Sequence, residues 1–176
     1  DEDNPYIKGF VITGYGPSAF CSGAEIGRFT EMLGDAEASA QYARDCSKLL
    51  LYIDRIDKPV VAAVNGYALG GGFELAMRCH RIVATENAWF QFPEVTLGIV
   101  PGIGGLVVPF RKWGKTAFSI FEDAVRFAKR ISVKEALDIG LVAKLTHDYL
   151  DLIKAAVFEV NNLIGKTERI RDGPVK

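Results

Sequence analysis

The chain has 176 residues, 49% of them hydrophobic and 24% charged, a profile typical of one folded domain with a hydrophobic core. The formal net charge of -1 provides no broad attraction for nucleic acid or anionic lipid, so we expect no nucleic-acid or membrane partner. Three scattered cysteines and two histidines argue against a disulfide scaffold or a metal site. The opening residues, DEDNP, do not resemble a signal peptide, so we expect a cytoplasmic location.

The first half of the chain alternates apolar runs with helical patterns. Residues 7–13 form a β-branched and aromatic run that predicts a buried strand, followed by a loop rich in glycine, proline and serine. Residues 36–53 have apolar side chains at helical spacing, and residues 60–64 predict a second buried strand. We expect the apolar stripe of the first helix to lie in the core: Tyr42, Cys46, Leu49 and Ile53.

The second half continues this alternation. We expect, in chain order, a helix that begins at Gly70, strands over 81–84 and 89–92, a helix over 116–129, a strand over 142–145 and a helix over 149–164. Ser132 and Glu135 form a capping box that starts a further helix, and Gly140 ends it. The alternation predicts an α/β fold, which we divide into a core over residues 1–145 and a C-terminal helix with a charged tail over residues 146–176.

The segment NGYALGGGFELAM, residues 65–77, carries the strongest functional signal. Its three consecutive glycines run into a helical pattern, and the free N–H groups at the start of a helix bind negative charge on oxygen. Gly71 and Glu74 are three residues apart and therefore share a helix face. This pattern places an oxyanion-binding amide about one turn from a carboxylate, which suits proton transfer beside a polarised carbonyl.

Other glycine-rich motifs are incomplete in this sequence. Neither Gly70 nor Gly102 begins a full GxGxxG fingerprint, and neither GKT tripeptide has the earlier glycine of a P-loop. No GxSxG elbow is present. The sequence therefore does not support a dinucleotide fingerprint or a P-loop.

Three motifs in order resemble the crotonase superfamily, and most closely the enoyl-CoA hydratases: AFCSGAEI at 19–26, NGYALGGGFELAM at 65–77 and FPEVTLGIVPGIGG at 92–105. The resemblance extends from about residue 7 to about residue 145. It implies a crotonase-like core of repeated ββα units wound as a spiral. It also implies an acyl-CoA substrate, no metal or redox cofactor, and a homo-oligomer, which in that family is a trimer.

The resemblance further assigns roles to individual residues. Two backbone N–H groups that form an oxyanion hole for the thioester correspond to Ala24 and Gly71, and two acid–base glutamates correspond to Glu74 and Glu94. The implied reaction is reversible syn hydration of trans-2-enoyl-CoA to 3-hydroxyacyl-CoA, as in fatty-acid β-oxidation. Contacts with the substrate or its coenzyme A are implied for Phe20, Ser22, Ala24, Ile26, Gly70, Gly71 and Gly102.

Two alternatives remain open. The first is an enoyl-CoA double-bond isomerase that uses Glu94 alone, and the second is a non-catalytic acyl-CoA-binding or assembly module. Taken singly, Glu74 also suits a helix-terminal charge and Glu94 a surface carboxylate. We expect structural roles for His80 and for the cysteines Cys21 and Cys79.

The chain departs from the family at both ends. The usual N-terminal strands and most of the C-terminal helical region have no counterpart in the sequence, so we expect a piece of a longer polypeptide or a chain that another completes. Residues 93–105, with the following Arg-Lys-Trp, resemble the hydratase part of fused hydratase–3-hydroxyacyl-CoA dehydrogenases. The intact mass of the native gene product tests this expectation.

Overall fold

The computed structural model of the protein describes residues 3–25, 27, 31–32, 34–168 and 170. Within these residues the chain forms two sheets of four strands each. The first sheet contains, in spatial order, β1 (Phe10–Thr13), β3 (Val60–Val64), β5 (Arg81–Thr85) and β8 (Lys144–Thr146). The second contains, in spatial order, β2 (Ala19–Cys21), β4 (Tyr67–Leu69), β6 (Trp89–Gln91) and β7 (Ile131–Ser132).

Six α-helices lie within the described residues: α1 (Ala36–Arg55), α2 (Gly71–Arg78), α3 (Val108–Trp113), α4 (Phe118–Phe127), α5 (Val133–Asp138) and α6 (Tyr149–Leu163). Local side chains start several of them. Asp35 caps α1 by accepting a hydrogen bond from the backbone N–H of Ala38 at 2.9 Å. The predicted capping box of Ser132 and Glu135 is present at the start of α5.

The strands alternate between the two sheets along the chain from β1 to β6. Neighbouring strands pair in parallel, except that β6 and β7 are antiparallel. The first two pairs of successive strands are each followed by a helix, as β1–β2–α1 and β3–β4–α2, and β5–β6 is followed by a 3-10 turn and then α3. This arrangement confirms the predicted α/β fold with a spiral of ββα units.

The first sheet is covered on both faces, which explains its nearly continuous apolar strands. Alternate residues of β3 point to opposite sides. Val61 and Ala63 belong to a cluster with Leu152 and other residues of α6. Ala62 and Val64 belong to the larger cluster, which also contains residues of the second sheet and of α2. The central strands therefore pack against apolar residues on both faces.

Several predicted elements differ from the structure at their ends. The strand expected over 7–13 begins at Phe10, and the strand expected over 142–145 covers residues 144–146. The helix expected over 116–129 begins with a 3-10 turn, Gly114–Ala117, and α4 ends before Ala128, which has a φ of 50°. Strands β2 and β4 were not predicted, because three-residue strands within a glycine-rich sequence show too little alternation.

Among the helices that the structure describes, none combines the length and the apolar composition needed to cross a bilayer. The predicted boundary between residues 1–145 and 146–176 stays a prediction. The last described helix, α6, packs against β3 and β5 of the first sheet.

Candidate active site

Glycines at the start of α2 allow two close approaches. Gly70 has φ 49° and ψ −125°, a conformation that favours glycine, and it turns the chain from β4 into α2. A Cβ atom on Gly70 would lie 2.6 Å from Oε1 of Glu94. A Cβ atom on Gly72 would overlap the backbone carbonyl of Cys21 in β2. The glycines therefore make room for a carboxylate on one side of the turn and for a strand on the other.

The backbone amides of Ala24 and Gly71 lie close together beside this turn. Gly71 is the first residue of α2, so its N–H has no partner within the helix. A Cβ atom on Gly71 would lie 3.8 Å from the nitrogen of Ala24, and one on Gly23 would lie 3.1 Å from the nitrogen of Gly71. Two neighbouring amides at a helix N-terminus can stabilise negative charge on a single oxygen.

Glu74 lies on the same face of α2 as Gly71 and is only 2% exposed. Its Oε1 accepts hydrogen bonds from the backbone N–H groups of Ile103 at 3.0 Å and Gly105 at 2.7 Å. Burial raises the pKa of Glu74, while these N–H groups and the positive charge of Arg78 oppose the rise. Because both amides bind Oε1, they orient the carboxyl group through one oxygen.

Glu94 follows Pro93 and begins a 3-10 turn, Glu94–Leu97. Its Oε2 is buried and meets no hydrogen-bond partner among the residues whose positions are described. Burial raises the pKa of Glu94 to about 7, and the negative charge of Glu74 adds to this rise. A carboxyl group with a pKa near neutral pH can both donate and accept a proton during catalysis.

A cavity of about 220 Å³ joins these groups. Its lining includes Glu74 and Glu94 and the two residues whose amides lie close together, Ala24 and Gly71. Its apolar wall comes from α1 and from the segment after Glu94, through the side chains of Tyr42, Ala43, Cys46, Leu97, Ile99, Val100 and Ile103. A mostly apolar lining with two carboxyl groups suits a largely apolar small ligand that also carries a polar group.

Most of the predicted site residues lie in this lining: Ser22, Ala24, Gly70, Gly71, Glu74, Glu94 and Gly102. Phe20 is not in that lining. It is 7% exposed and packs in the larger core cluster, because the middle residue of β2 directs its side chain into the protein. A contact between its backbone and a substrate stays a prediction. Ile26 lies outside the described residues.

The apolar stripe predicted for α1 divides between the core, the cavity and solvent. Tyr42 and Cys46 are half-buried and line the cavity, and Ile53 is buried in the core. Leu49 is 71% exposed, so its predicted core position is wrong. The buried side of the helix passes through Leu50 and Ile53, three residues apart, and this turns Leu49 outward.

The sequence analysis missed the amides of Ile103 and Gly105 that bind Glu74. They lie 29 and 31 positions away from Glu74 along the chain, so no local pattern connects them. The glycine pair at 104–105 was the feature of the sequence that could have indicated a close approach of this loop to another part of the chain. Gly104 has a φ of 141°, and a Cβ atom on Gly105 would lie 2.8 Å from the ring of Phe92. Glycine at both positions therefore lets the loop bring its N–H groups to a buried carboxylate.

His80 and the cysteines have surroundings that suit structural roles. The Nδ1 of His80 accepts a hydrogen bond from the backbone N–H of Val60 at 3.0 Å. Burial, together with the positive charge of Lys112, lowers the pKa of His80. Burial raises the pKa of the Cys79 thiol to about 12, which makes it a poor nucleophile, and Cys21 is half-buried. In the described part of the chain, no three His, Cys, Asp or Glu side chains gather in a way that could hold a metal ion.

Comparisons with known proteins identify related sequences and a related structure. The family described as Enoyl-CoA hydratase/isomerase matches residues 1–170. The chain is 38% identical over 155 residues to a probable enoyl-CoA hydratase of Bacillus subtilis, a match that covers 88% of this chain and 58% of the relative. It is 41% identical over 143 residues to a crotonyl-CoA hydratase of Syntrophomonas wolfei, covering 81% of this chain and 53% of the relative. The crystal structure of an enoyl-CoA hydratase from Polaromonas sp. JS666 matches with a TM-score of 0.82 and 33% identity, covering 92% of this chain and 62% of that one.

The ββα spiral and these similarities define a protein of the crotonase superfamily. The chain belongs to the enoyl-CoA hydratase/isomerase family. It spans 58% and 53% of the lengths of the two curated relatives.

Proposed function

We propose that this protein catalyses the reversible syn hydration of trans-2-enoyl-CoA thioesters to 3-hydroxyacyl-CoA. The main support is that one cavity contains the carboxyl groups of Glu74 and Glu94 and the segments that carry the amides of Ala24 and Gly71. Relatives of about 40% identity that are named as enoyl-CoA or crotonyl-CoA hydratases support the same class of reaction. In the proposed reaction, coenzyme A is part of the substrate, and no metal ion or redox cofactor takes part.

The two amides would bind the thioester oxygen. When water adds to the β-carbon, electrons move through the conjugated system and the thioester oxygen gains negative charge. The N–H groups of Ala24 and Gly71 would stabilise this charge by about 3–4 kcal/mol each, by analogy with other oxyanion holes. This stabilisation is largest in the transition state, so it raises the rate rather than the affinity for substrate.

The two carboxyl groups would carry the proton transfers. Glu74, oriented by its two backbone hydrogen bonds, would take a proton from water as the water oxygen attacks the β-carbon. Glu94, with a pKa of about 7, would donate its proton to the α-carbon. Dehydration would reverse both steps, with Glu94 taking the proton from the α-carbon and Glu74 protonating the departing hydroxyl.

Loss of the ultraviolet absorbance of the conjugated enoyl thioester of crotonyl-CoA measures this reaction directly. It should be followed with this chain and with a full-length version. We expect Glu74→Gln and Glu94→Gln each to lower kcat about 100-fold or more while CoA-ester binding persists, because each variant removes a general acid or base. Glu86→Gln is a matched control, because Glu86 is exposed and is not among the residues that line the cavity. Its Oε2 lies 3.3 Å from Nδ1 of His147. Full activity in both active-site variants, or an equal loss in the control, would contradict the proposal.

An isomerase is the second candidate, and the surroundings of Glu94 favour it. Glu94 combines a buried Oε2 without a described partner with a pKa of about 7, so it could move a proton between two carbons alone. In that case Glu74→Gln would retain turnover of a 3-enoyl-CoA, whereas Glu94→Gln would lose it. Binding of CoA esters without any turnover by the full-length protein would indicate a non-catalytic acyl-CoA-binding module.

The wider setting of this activity is also a proposal. We propose a cytoplasmic enzyme of fatty-acid β-oxidation that assembles as a homo-oligomer, with the family's trimer as the expected form. We also propose that the chain is the hydratase part of a longer polypeptide, with a fused 3-hydroxyacyl-CoA dehydrogenase as one form. Light scattering of the purified native protein measures its oligomeric mass, and its intact mass tests the fusion.

A further inference from the structure

Arg78, the last residue of α2, is a largely buried cation without a direct part in the proposed reaction. Its side chain is 11% exposed, and it is not among the described residues that line the cavity with Glu74 and Glu94. It follows Glu74 by four positions, so the two side chains lie on the same face of α2 about one turn apart. Removing a charge from water is costly unless the charge is paired and hydrogen-bonded, so the contacts of Arg78 indicate its role.

Two sets of contacts fix Arg78 at the end of α2. Its Nη1 pairs with Oδ2 of Asp54, in the last turn of α1, and the side chain of Asp54 is 14% exposed. Lys112 donates hydrogen bonds to the backbone carbonyls of Met77 at 2.8 Å and Cys79 at 2.7 Å, on either side of Arg78 in the chain. Both the backbone and the guanidinium group of Arg78 are therefore held in place.

The guanidinium group also contacts the loop that orients Glu74. Its Nη2 donates a hydrogen bond to the backbone carbonyl of Ile103 at 3.4 Å. A Cβ atom on Gly104 would lie 2.9 Å from Nη2 and 3.2 Å from Nε of Arg78, so the guanidinium group lies directly beside this glycine. The same loop donates the N–H groups of Ile103 and Gly105 to Oε1 of Glu74. Arg78 therefore binds the carbonyl of a residue whose N–H binds Glu74.

We propose that Arg78, held by Asp54, is a positioning residue that keeps the loop 103–105 where its N–H groups can orient Glu74. This proposal rests on the proposed hydratase function, in which Glu74 activates water. A shift of about 1 Å in a catalytic group can cost about 100-fold in rate, so a smaller displacement of the loop would slow the reaction while substrate still binds. Arg78 touches neither substrate nor water in this scheme and acts only through the loop.

The two contacts of Arg78 depend on the forked shape of arginine. Nη1 reaches a carboxylate and Nη2 reaches a backbone carbonyl, whereas the ammonium group of lysine is a compact point charge. Arg78→Lys keeps the positive charge that opposes the raised pKa of Glu74, but it cannot reproduce both contacts. The substitution therefore tests the position of the loop separately from the charge near Glu74.

Hydrogen exchange of the full-length protein, followed by mass spectrometry, tests the loop contact without any turnover. We expect the segment 102–106 to exchange about tenfold faster in Arg78→Lys, because a loop that has lost a contact opens more often. The central strand β3 should exchange as in the wild type, which shows that the fold as a whole is intact. If Arg78→Lys does not fold, Asp54→Asn, which keeps an acceptor oxygen beside Nη1, is measured in the same way with the same expectation.

The kinetic test measures hydration of crotonyl-CoA in single and double variants. Arg78→Lys should lower kcat about tenfold and change KM less than about twofold, because the orientation of Glu74 acts in the transition state. In a Glu74→Gln background the same substitution should cause no further loss, since Arg78 acts through Glu74, whereas independent effects would multiply. Arg126→Lys is the matched control, because Arg126 is exposed on α4, pairs with Glu122 and lies outside the cavity lining. It should leave both exchange and kcat unchanged.

Three results would overturn the positioning role of Arg78. They are unchanged exchange of the segment 102–106 in Arg78→Lys, a further tenfold loss of kcat in the Glu74→Gln background, and equal changes in Arg126→Lys. The hydratase function fails on different results, namely a wild-type protein without turnover or a Glu74→Gln variant with full kcat. Exchange involves no substrate, so it decides whether Arg78 holds the loop even if hydration is not the reaction.

Discussion

Substitution of Gly70 by alanine should abolish the proposed hydratase activity by displacing Glu94 rather than by unfolding the protein. The new Cβ atom would lie 2.6 Å from Oε1 of Glu94, whereas ordinary contacts begin at about 3.4 Å. The carboxyl group must therefore move by about 1 Å. A shift of that size in a catalytic group can cost about 100-fold in rate, so we expect kcat for crotonyl-CoA hydration to fall by about that factor.

The same substitution also strains the backbone, and Gly114 provides a control for that strain. Gly70 has φ 49° and ψ −125°, and Gly114 has φ 58° and ψ −147°, so an alanine at either position meets a similar conformational cost of about 1–3 kcal/mol. A Cβ atom on Gly114 meets no described atom within 4 Å. Urea unfolding should therefore show similar losses of stability in Gly70→Ala and Gly114→Ala, and only Gly70→Ala should lose kcat. Equal kcat values in the two variants would refute the role assigned to the contact between Gly70 and Glu94.

Two further predictions concern pH and loop position. The forward rate of the proposed hydration should fall as the pH rises through about 7, because Glu94 would then lose the proton that the proposal assigns it to donate. Glu94→Gln should remove this fall from the pH profile, and a wild-type rate that stays constant well above pH 7 would contradict the prediction. Asn65→Ala should lower the free energy of unfolding by about 1–3 kcal/mol in urea titrations. The side chain of buried Asn65 accepts a hydrogen bond from the N–H of Gly14 at 3.0 Å and donates one to the carbonyl of Ala19 at 3.1 Å, and alanine would remove both. Asn161→Ala on the exposed side of α6 is its control, and an equal loss there would show that the hydrogen bonds of Asn65 contribute little.

The sequence predicted the parts of the fold whose signals are local. The β-branched run of β3 and the capping box before α5 each follow from residues within a few positions of one another. Strands β2 and β4 were missed because each has only three residues and is recognisable mainly through its pairing with a distant strand. Such pairings depend on tertiary contacts that a short sequence window does not contain.

The candidate site shows the same division between local and distant signals. The motif around Gly71 and Glu74 places an amide and a carboxylate one helical turn apart, and the resemblance added Ala24 and Glu94. The hydrogen bonds that orient Glu74 come from a loop about 30 residues further along the chain, and nothing near Glu74 indicates them. The near-neutral pKa of Glu94 likewise depends on burial and on a second carboxylate, which only the folded chain supplies.

The apolar residues that line the cavity can vary in size more freely than the residues around Glu74 and Glu94. Around Glu74 and Glu94, glycine residues and main-chain amides fix the positions of the two carboxyl groups. Almost any substitution at Gly70 would place a side-chain atom against Glu94, and one at Gly72 would place it against Cys21. The wall at Tyr42, Cys46 and Val100 consists of ordinary side chains that can be exchanged for larger or smaller ones. If the proposed hydration is correct, preference for one acyl length over another can therefore change through substitutions in this wall while the residues around Glu74 and Glu94 stay the same.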